Sequence, residues 1–334
     1  MWVLLLLWNI YVGLKTHGFR IAFDYYTGTV LIPFFIFFII VNVKFDKDKL
    51  TKLFDLFLFS GVVLGAYSIM LFVGSGFNLK LRIPSLWENF NIVSAYFMIL
   101  FLLNLTFLIN RNTFQKKIIY TISLVIILFG MFLTQTRGVW LATVLAIVFF
   151  FFKKPKVIVP AVFVLGTLVL LFFNVINDRL LSVKNFGNDV SSLGRLQAWL
   201  SSIILIKNNF LIGYGFDSYL SLRDSVFGFY FVELPHSHNT YLRMILESGF
   251  IGFAIYFSFM IAAFVFTFSL SRKPEFAEYK PFIDGFQLIL FALFIAFNFE
   301  PYFSLYGVST IVIWVIISFV FKFRFDKTLI NKTG

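Results

Sequence analysis

Cysteine is absent from this 334-residue chain, histidine occurs three times, proline eight times, and only 13% of the residues are charged, 16 of them acidic. Without cysteine there are no disulfides and no thiolate chemistry, and a metal would have only His and carboxylate ligands. So small a share of charge excludes an ordinary water-soluble surface. What is abundant is apolar: 60% of the residues are hydrophobic, 51 are Phe, and the mean hydropathy is +0.91. That composition describes an all-α polytopic membrane protein. The net charge of +12 is spread over short loops and forms no basic stripe, so no nucleic acid is expected as a partner.

About ten runs are long enough, or nearly so, to cross roughly 30 Å of hydrocarbon. They lie at approximately 2–14, 30–43, 53–73, 90–109, 118–134, 138–152, 157–176, 249–270, 282–300 and 302–321. The first follows Met1 directly, with no basic stretch before it and no small-residue cleavage site after it, so it reads as a span and not as a signal peptide. Loops 44–52, 110–117, 153–156 and 271–281 and the tail 322–334 hold four, three, three, three and four Lys or Arg. The positive-inside rule then places both termini in the cytoplasm. The expected organisation is seven spans within 1–176, one large external segment at 177–248, and three spans with a cytoplasmic tail in 249–334. Within the external segment, Leu193, Leu196, Leu200 and Ile203 recur at helical spacing after Ser191 and Ser192. An amphipathic helix in the membrane interface is expected there. The glycines of Gly213-Tyr214-Gly215 read as a turn, because they lack the strand and further glycine of a phosphate loop.

Polar chemistry gathers in Pro235-His236-Ser237-His238-Asn239-Thr240-Tyr241-Leu242-Arg243. Imidazole is the side chain best suited to move a proton near neutral pH, which makes His238 the candidate general base. Arg137, in a tight turn between two spans, and Arg195, on the interfacial helix, carry the fork that binds diphosphate oxygens. Asn239 and Arg243, four residues apart on one helical face, and His236 would support the site. Structural readings stand beside these. Arg137 snorkelling to headgroups, Arg195 contacting anionic lipid and His236 capping a helix all satisfy the same sequence, and Glu247 and Glu300 read either as catalytic carboxylates or as helix-end groups facing an arginine or solvent. A metal site built from His236, His238 and a carboxylate is a further reading, disfavoured because the i, i+2 spacing fits no usual helical ligand pair; no metal and no cofactor are expected.

His238-Asn239, nine residues, then Gly249-Phe250-Ile251-Gly252-Phe253 resembles the signature of the O-antigen ligase and polymerase superfamily of bacterial envelope enzymes. Thr136-Arg137-Gly138 and Gly194-Arg195 stand where that superfamily carries its other arginines. The resemblance covers roughly residues 118–270. It departs in having about ten spans where around twelve are common, and in Phe253 where ligases more often have Thr or Tyr. It implies metal-independent, inverting glycosyl transfer on the outer face of the bacterial cytoplasmic membrane. The donor would be a glycan on undecaprenyl diphosphate, and the acceptor a sugar hydroxyl such as that of lipid A core. A polymerase of the same superfamily is an open alternative. A transporter of lipid-linked sugars is another, though transporters carry charge inside their spans.

Overall fold

The computed structural model describes residues 2–79, 81–83, 85–86, 89–110, 113–152, 190–230, 232–302 and 308–326. The expected span at 157–176 and the following residues up to 189 lie outside the described residues. Among the described residues every regular element is helical. Among the described residues, six helical stretches are long and apolar enough to cross a membrane: Phe19–Asn42, Lys47–Gly74, Phe90–Asn110, Phe114–Leu133, Thr240–Leu270 and Pro274–Ala296. Trp2–Lys15 and Arg137–Phe151 are shorter apolar helices.

The chain forms two compact units, each assembled from segments distant in sequence. One lies within Met1–Phe34, Phe151–Ser258 and Phe297–Tyr306, the other within Phe35–Phe150, Phe259–Ala296 and Gly307–Gly334. The second holds α4 (Lys47–Gly74), α5 (Phe90–Asn110), α6 (Phe114–Leu133), α7 (Arg137–Phe151), α11 (Lys280–Ala296) and α12 (Val308–Phe325), after most of α3 (Ile32–Asn42). Asp46 starts α4 by accepting the Lys49 N–H at 2.7 Å. The α5 helix is the most enclosed and packs against α4, α6 and α11. Lipid offers helices no hydrophobic reward for associating, so small residues set how closely they approach. A Cβ on Gly65 would stand 2.9 Å from the Ile126 carbonyl oxygen, and one on Gly130 would stand 3.1 Å from the Gly65 Cα. Here α4 and α6 touch backbone to backbone.

The first unit contains α1 (Trp2–Lys15), α2 (Phe19–Tyr26), α8 (Val190–Asn208), the short α9 (Ser218–Leu222) and the first part of α10 (Thr240–Leu270). A helix forms over the segment expected to be amphipathic, α8, which begins at Val190, ahead of the two serines. Leu196, Leu200 and Ile203 are exposed, whereas Gly194, Ala198, Ser201, Ser202 and Leu205 are buried within the unit. The protein thus packs against the small-residue face of α8 and leaves the leucine stripe outward.

The α10 helix is broken at Gly249, whose φ of 68° and ψ of 176° are not helical. A break orphans carbonyls before it and N–H groups after it, and buried backbone groups need partners. The turn after α8 supplies most of them. Tyr214 and Gly215 donate their N–H groups to the carbonyls of Leu246 and Glu247, both at 2.9 Å. Trp8 Nε1 donates to the Ser248 carbonyl at 2.8 Å. Beyond the break, the N–H groups of Phe250 and Ile251 donate to the carbonyls of Phe210 and Leu211 at 2.8 and 3.3 Å. The Gly213-Tyr214-Gly215 turn therefore splints a helix. A Cβ on Gly249 would meet the Leu211 oxygen at 2.2 Å, whereas Gly76 has a similar φ of 68° and open space around it. Gly76→Ala is expected to show only the left-handed backbone penalty, about 1–2 kcal/mol. Gly249→Ala should lower the melting temperature in detergent clearly further, because the splint must also move. Equal melting shifts for the two variants would contradict the close approach.

Candidate active site

His236 and His238 lie in the loop before α10, and the loop's shape depends on His238 itself, which has a left-handed φ of 49°. A non-glycine residue there costs about 1–3 kcal/mol unless its surroundings enforce it. They do. His238 N–H donates to His236 Nδ1 at 3.2 Å, and Ser237 Oγ donates to the Asn239 carbonyl at 3.1 Å. Asn239 caps α10, its Oδ1 accepting the Leu242 N–H at 3.1 Å. Asn239 therefore fixes the start of the helix that follows the histidine.

The segment after α11 closes the loop from the other side. Thr240 N–H donates to the Phe297 carbonyl at 2.8 Å, and Thr240 Oγ1 donates to the Glu300 carbonyl at 2.7 Å. Tyr302 N–H donates back to Thr240 Oγ1 at 3.1 Å. This clamp brings the buried Glu300 carboxylate to His238, with Oε2 at 2.7 Å from Nδ1. A carboxylate only accepts, so the proton between them belongs to Nδ1, and the neutral form of the ring has its lone pair on Nε2. That is the arrangement in which a carboxylate orients a histidine base. In the sequence Glu300 is a possible catalytic carboxylate or a helix-end one facing an arginine or solvent, and nothing there signals its pairing with His238.

The His236 and His238 rings lie 4.2 Å apart, centroid to centroid, tilted by 52°. Burial, reinforced by His238 and by the charges of Arg243 and Arg195, holds His236 down to a pKa of about 2. It is a neutral ring that accepts the His238 N–H at Nδ1. His236, His238 and Glu300 each offer a ligand atom within 4.8 Å of the others, the grouping that could hold a metal ion.

The arginines divide. Arg195, half-buried on α8, has no hydrogen-bond or ion-pair partner among the described residues. Its charge acts on His236 and on the buried Tyr302 phenol, which burial raises well above its usual range. Arg243 is committed elsewhere. It is buried, donating from Nε to Glu247 Oε1 at 2.8 Å and from Nη2 to the Tyr25 hydroxyl at 2.7 Å. Tyr25 donates in turn to Asp217 Oδ1 at 2.9 Å, and the Asp217 N–H donates to Glu247 Oε1 at 3.2 Å. This network ties α2, the end of the Gly213 turn and the first turns of α10 together beside the histidine loop.

Arg137 belongs to the second unit, where it is the first residue of α7 and half-buried. Its turn is held by groups that the sequence did not single out. Gln135, at a left-handed φ of 53°, donates from Nε2 to the carbonyls of Leu79 and Leu81 at 2.7 and 3.0 Å. Arg82 Nε donates to the Thr134 carbonyl at 3.0 Å. The structure thus gathers His236, His238, Asn239, Arg195 and Arg243 in the first unit and fixes the Arg137 turn within the second.

A comparison with curated proteins found no match. A family model described as O-antigen ligase matches residues 122–257. The match takes in Arg137, Arg195, both loop histidines and Gly249, and ends before Glu300. This central part of the chain matches the O-antigen ligase and polymerase superfamily.

Proposed function

We propose that this protein is an O-antigen ligase-like glycosyltransferase. It would transfer a glycan from undecaprenyl diphosphate to an acceptor sugar hydroxyl, such as that of lipid A core, at the outer face of the cytoplasmic membrane. The observation that carries the reading is the 2.7 Å pairing of His238 Nδ1 with Glu300, which leaves Nε2 as the base. Nε2 takes the proton of the acceptor hydroxyl as that oxygen attacks the anomeric carbon from the face opposite the leaving group. The bond from the anomeric carbon to the diphosphate oxygen breaks with inversion, and the electron pair leaves on the diphosphate. Arg195, which has no hydrogen-bond or ion-pair partner among the described residues, holds those oxygens, and for Arg137 the same role stays the expectation of the sequence resemblance. Asn239 and the Arg243 network act indirectly, by fixing the loop that presents the imidazole. His236, neutral and bonded to the His238 backbone, shapes that loop as well. No cofactor enters this reaction.

The test is glycan profiling of a deletion strain complemented with wild type or with Arg195→Ala. Wild type should restore glycan ladders on the acceptor. The variant, present at normal level, should lose ladders about 10²-fold or more while full-length glycans accumulate on the lipid carrier. Single repeats on the carrier would instead identify a polymerase. Normal ladders with Arg195→Ala would remove Arg195 from the diphosphate.

A further inference from the structure

We infer that His236, His238 and Glu300 form a binding site for a borderline divalent transition cation, Zn²⁺ above all, and that an ion there switches the base off. The binding half stands on the cluster alone, whereas the inhibitory half rests on the proposed role of His238.

Three side chains present two imidazoles and one carboxylate within 4.8 Å. Two imidazoles with a carboxylate is a ligand set that zinc accepts, with a fourth position left for water. Bonds of about 2.0–2.2 Å to a common ion require only modest convergence of atoms already that close. His238 Nδ1 and Glu300 Oε2 are the nearest pair at 2.7 Å, and they part slightly to admit the ion between them. His236 gives up only its 3.2 Å contact with the His238 N–H. The spacing that disfavoured a metal in a helix ceases to matter in this loop, because the left-handed His238 brings the two rings to 4.2 Å, centroid to centroid.

The charges nearby select the kind of ion. Arg195 and Arg243 act on this spot, and Glu247 and Asp217 offset only Arg243. A hard cation such as Mg²⁺ or Ca²⁺, bound mainly by oxygen and charge, gains too little from one carboxylate here. A cation with strong affinity for imidazole nitrogen does not depend on charge alone. Inhibition follows from the tautomer. Metal on His238 Nδ1 displaces the proton shared with Glu300, and the neutral ring then carries its proton on Nε2. The nitrogen needed to accept a proton no longer can, and no net proton is lost.

The experiment uses the full chain in detergent, cleared of metal with a chelator and titrated with Zn²⁺ by calorimetry, with metal analysis of the bound fraction. Wild type should bind one Zn²⁺ per chain and neither Mg²⁺ nor Ca²⁺. His236→Asn and Glu300→Gln, each checked for an unchanged melting temperature, should each weaken binding by about tenfold or more. No zinc on folded wild type, equal uptake of Mg²⁺, or undiminished binding in both folded variants would overturn the site. In a transfer assay, Zn²⁺ should stop wild-type turnover and a chelator should restore it. Transfer that continues with zinc bound would overturn the switch. Absence of transfer under any condition would count against the proposed function, and the calorimetry would still decide the site.

Discussion

His238→Asn is expected to reduce glycan transfer by about 10²–10⁴-fold, the usual contribution of a general base, while leaving the protein folded. Asparagine is the informative replacement because it tolerates the left-handed backbone that His238 adopts at φ 49°. Alanine removes the imidazole as well, but adds a backbone penalty that blurs the comparison. Glu300→Gln separates orientation from charge. Its amide oxygen can still accept the Nδ1–H, so the ring stays placed, but the carboxylate that stabilises the imidazolium is gone. Its turnover should fall between wild type and His238→Asn, with little change in acceptor KM. The measurement is steady-state transfer with a defined lipid-linked donor, alongside a melting curve. A His238→Asn enzyme of wild-type turnover would show that the loop histidines are structural.

Glu247→Ala is expected to be the most destabilising single substitution in the first unit, by about 3–5 kcal/mol. Removing one partner of a buried ion pair strands the other charge. Arg243 would lose its 2.8 Å partner, keeping the Tyr25 hydroxyl and the more distant Asp217 carboxylate at 3.7 Å. The Asp217 N–H would lose its acceptor too. The double substitution Arg243→Met with Glu247→Leu removes both charges at similar volume and should recover much of the loss. Thermal unfolding of the three variants in one detergent checks this. A double variant as unstable as Glu247→Ala would mean that the pair matters for its hydrogen-bonding geometry and not for its balance of charge.

Much of the class was legible from composition, because apolar runs of span length have few other uses. Runs such as 53–73, 90–109 and 118–134 sit inside α4, α5 and α6 with little adjustment. Phe19–Asn42 was read short, since Arg20, Asp24 and two tyrosines break the apolar pattern in a segment where Tyr25 is buried by its partners. The leucine stripe of α8 marked an apolar face correctly but not the face the protein packs against. Ala198, Ser201 and Ser202 are small enough for close approach, and hydropathy does not register that. The histidine loop stood out because titratable residues are rare in so apolar a chain. Its partners did not. Pairing of His238 with Glu300 depends on the chain returning after two long helices, and no local spacing encodes it. The break at Gly249 is invisible for the same reason, its orphaned backbone groups being met by residues some 35 positions earlier.

The separation of 62 positions between His238 and Glu300 also sets an order of events during synthesis. A ribosome finishes the histidine loop well before the carboxylate that orients its ring, and both α10 and α11 must be made first. A nascent or truncated chain therefore displays imidazoles with no fixed tautomer. If His238 is the base proposed above, its orientation by Glu300 arrives only when the segment after α11 docks on Thr240.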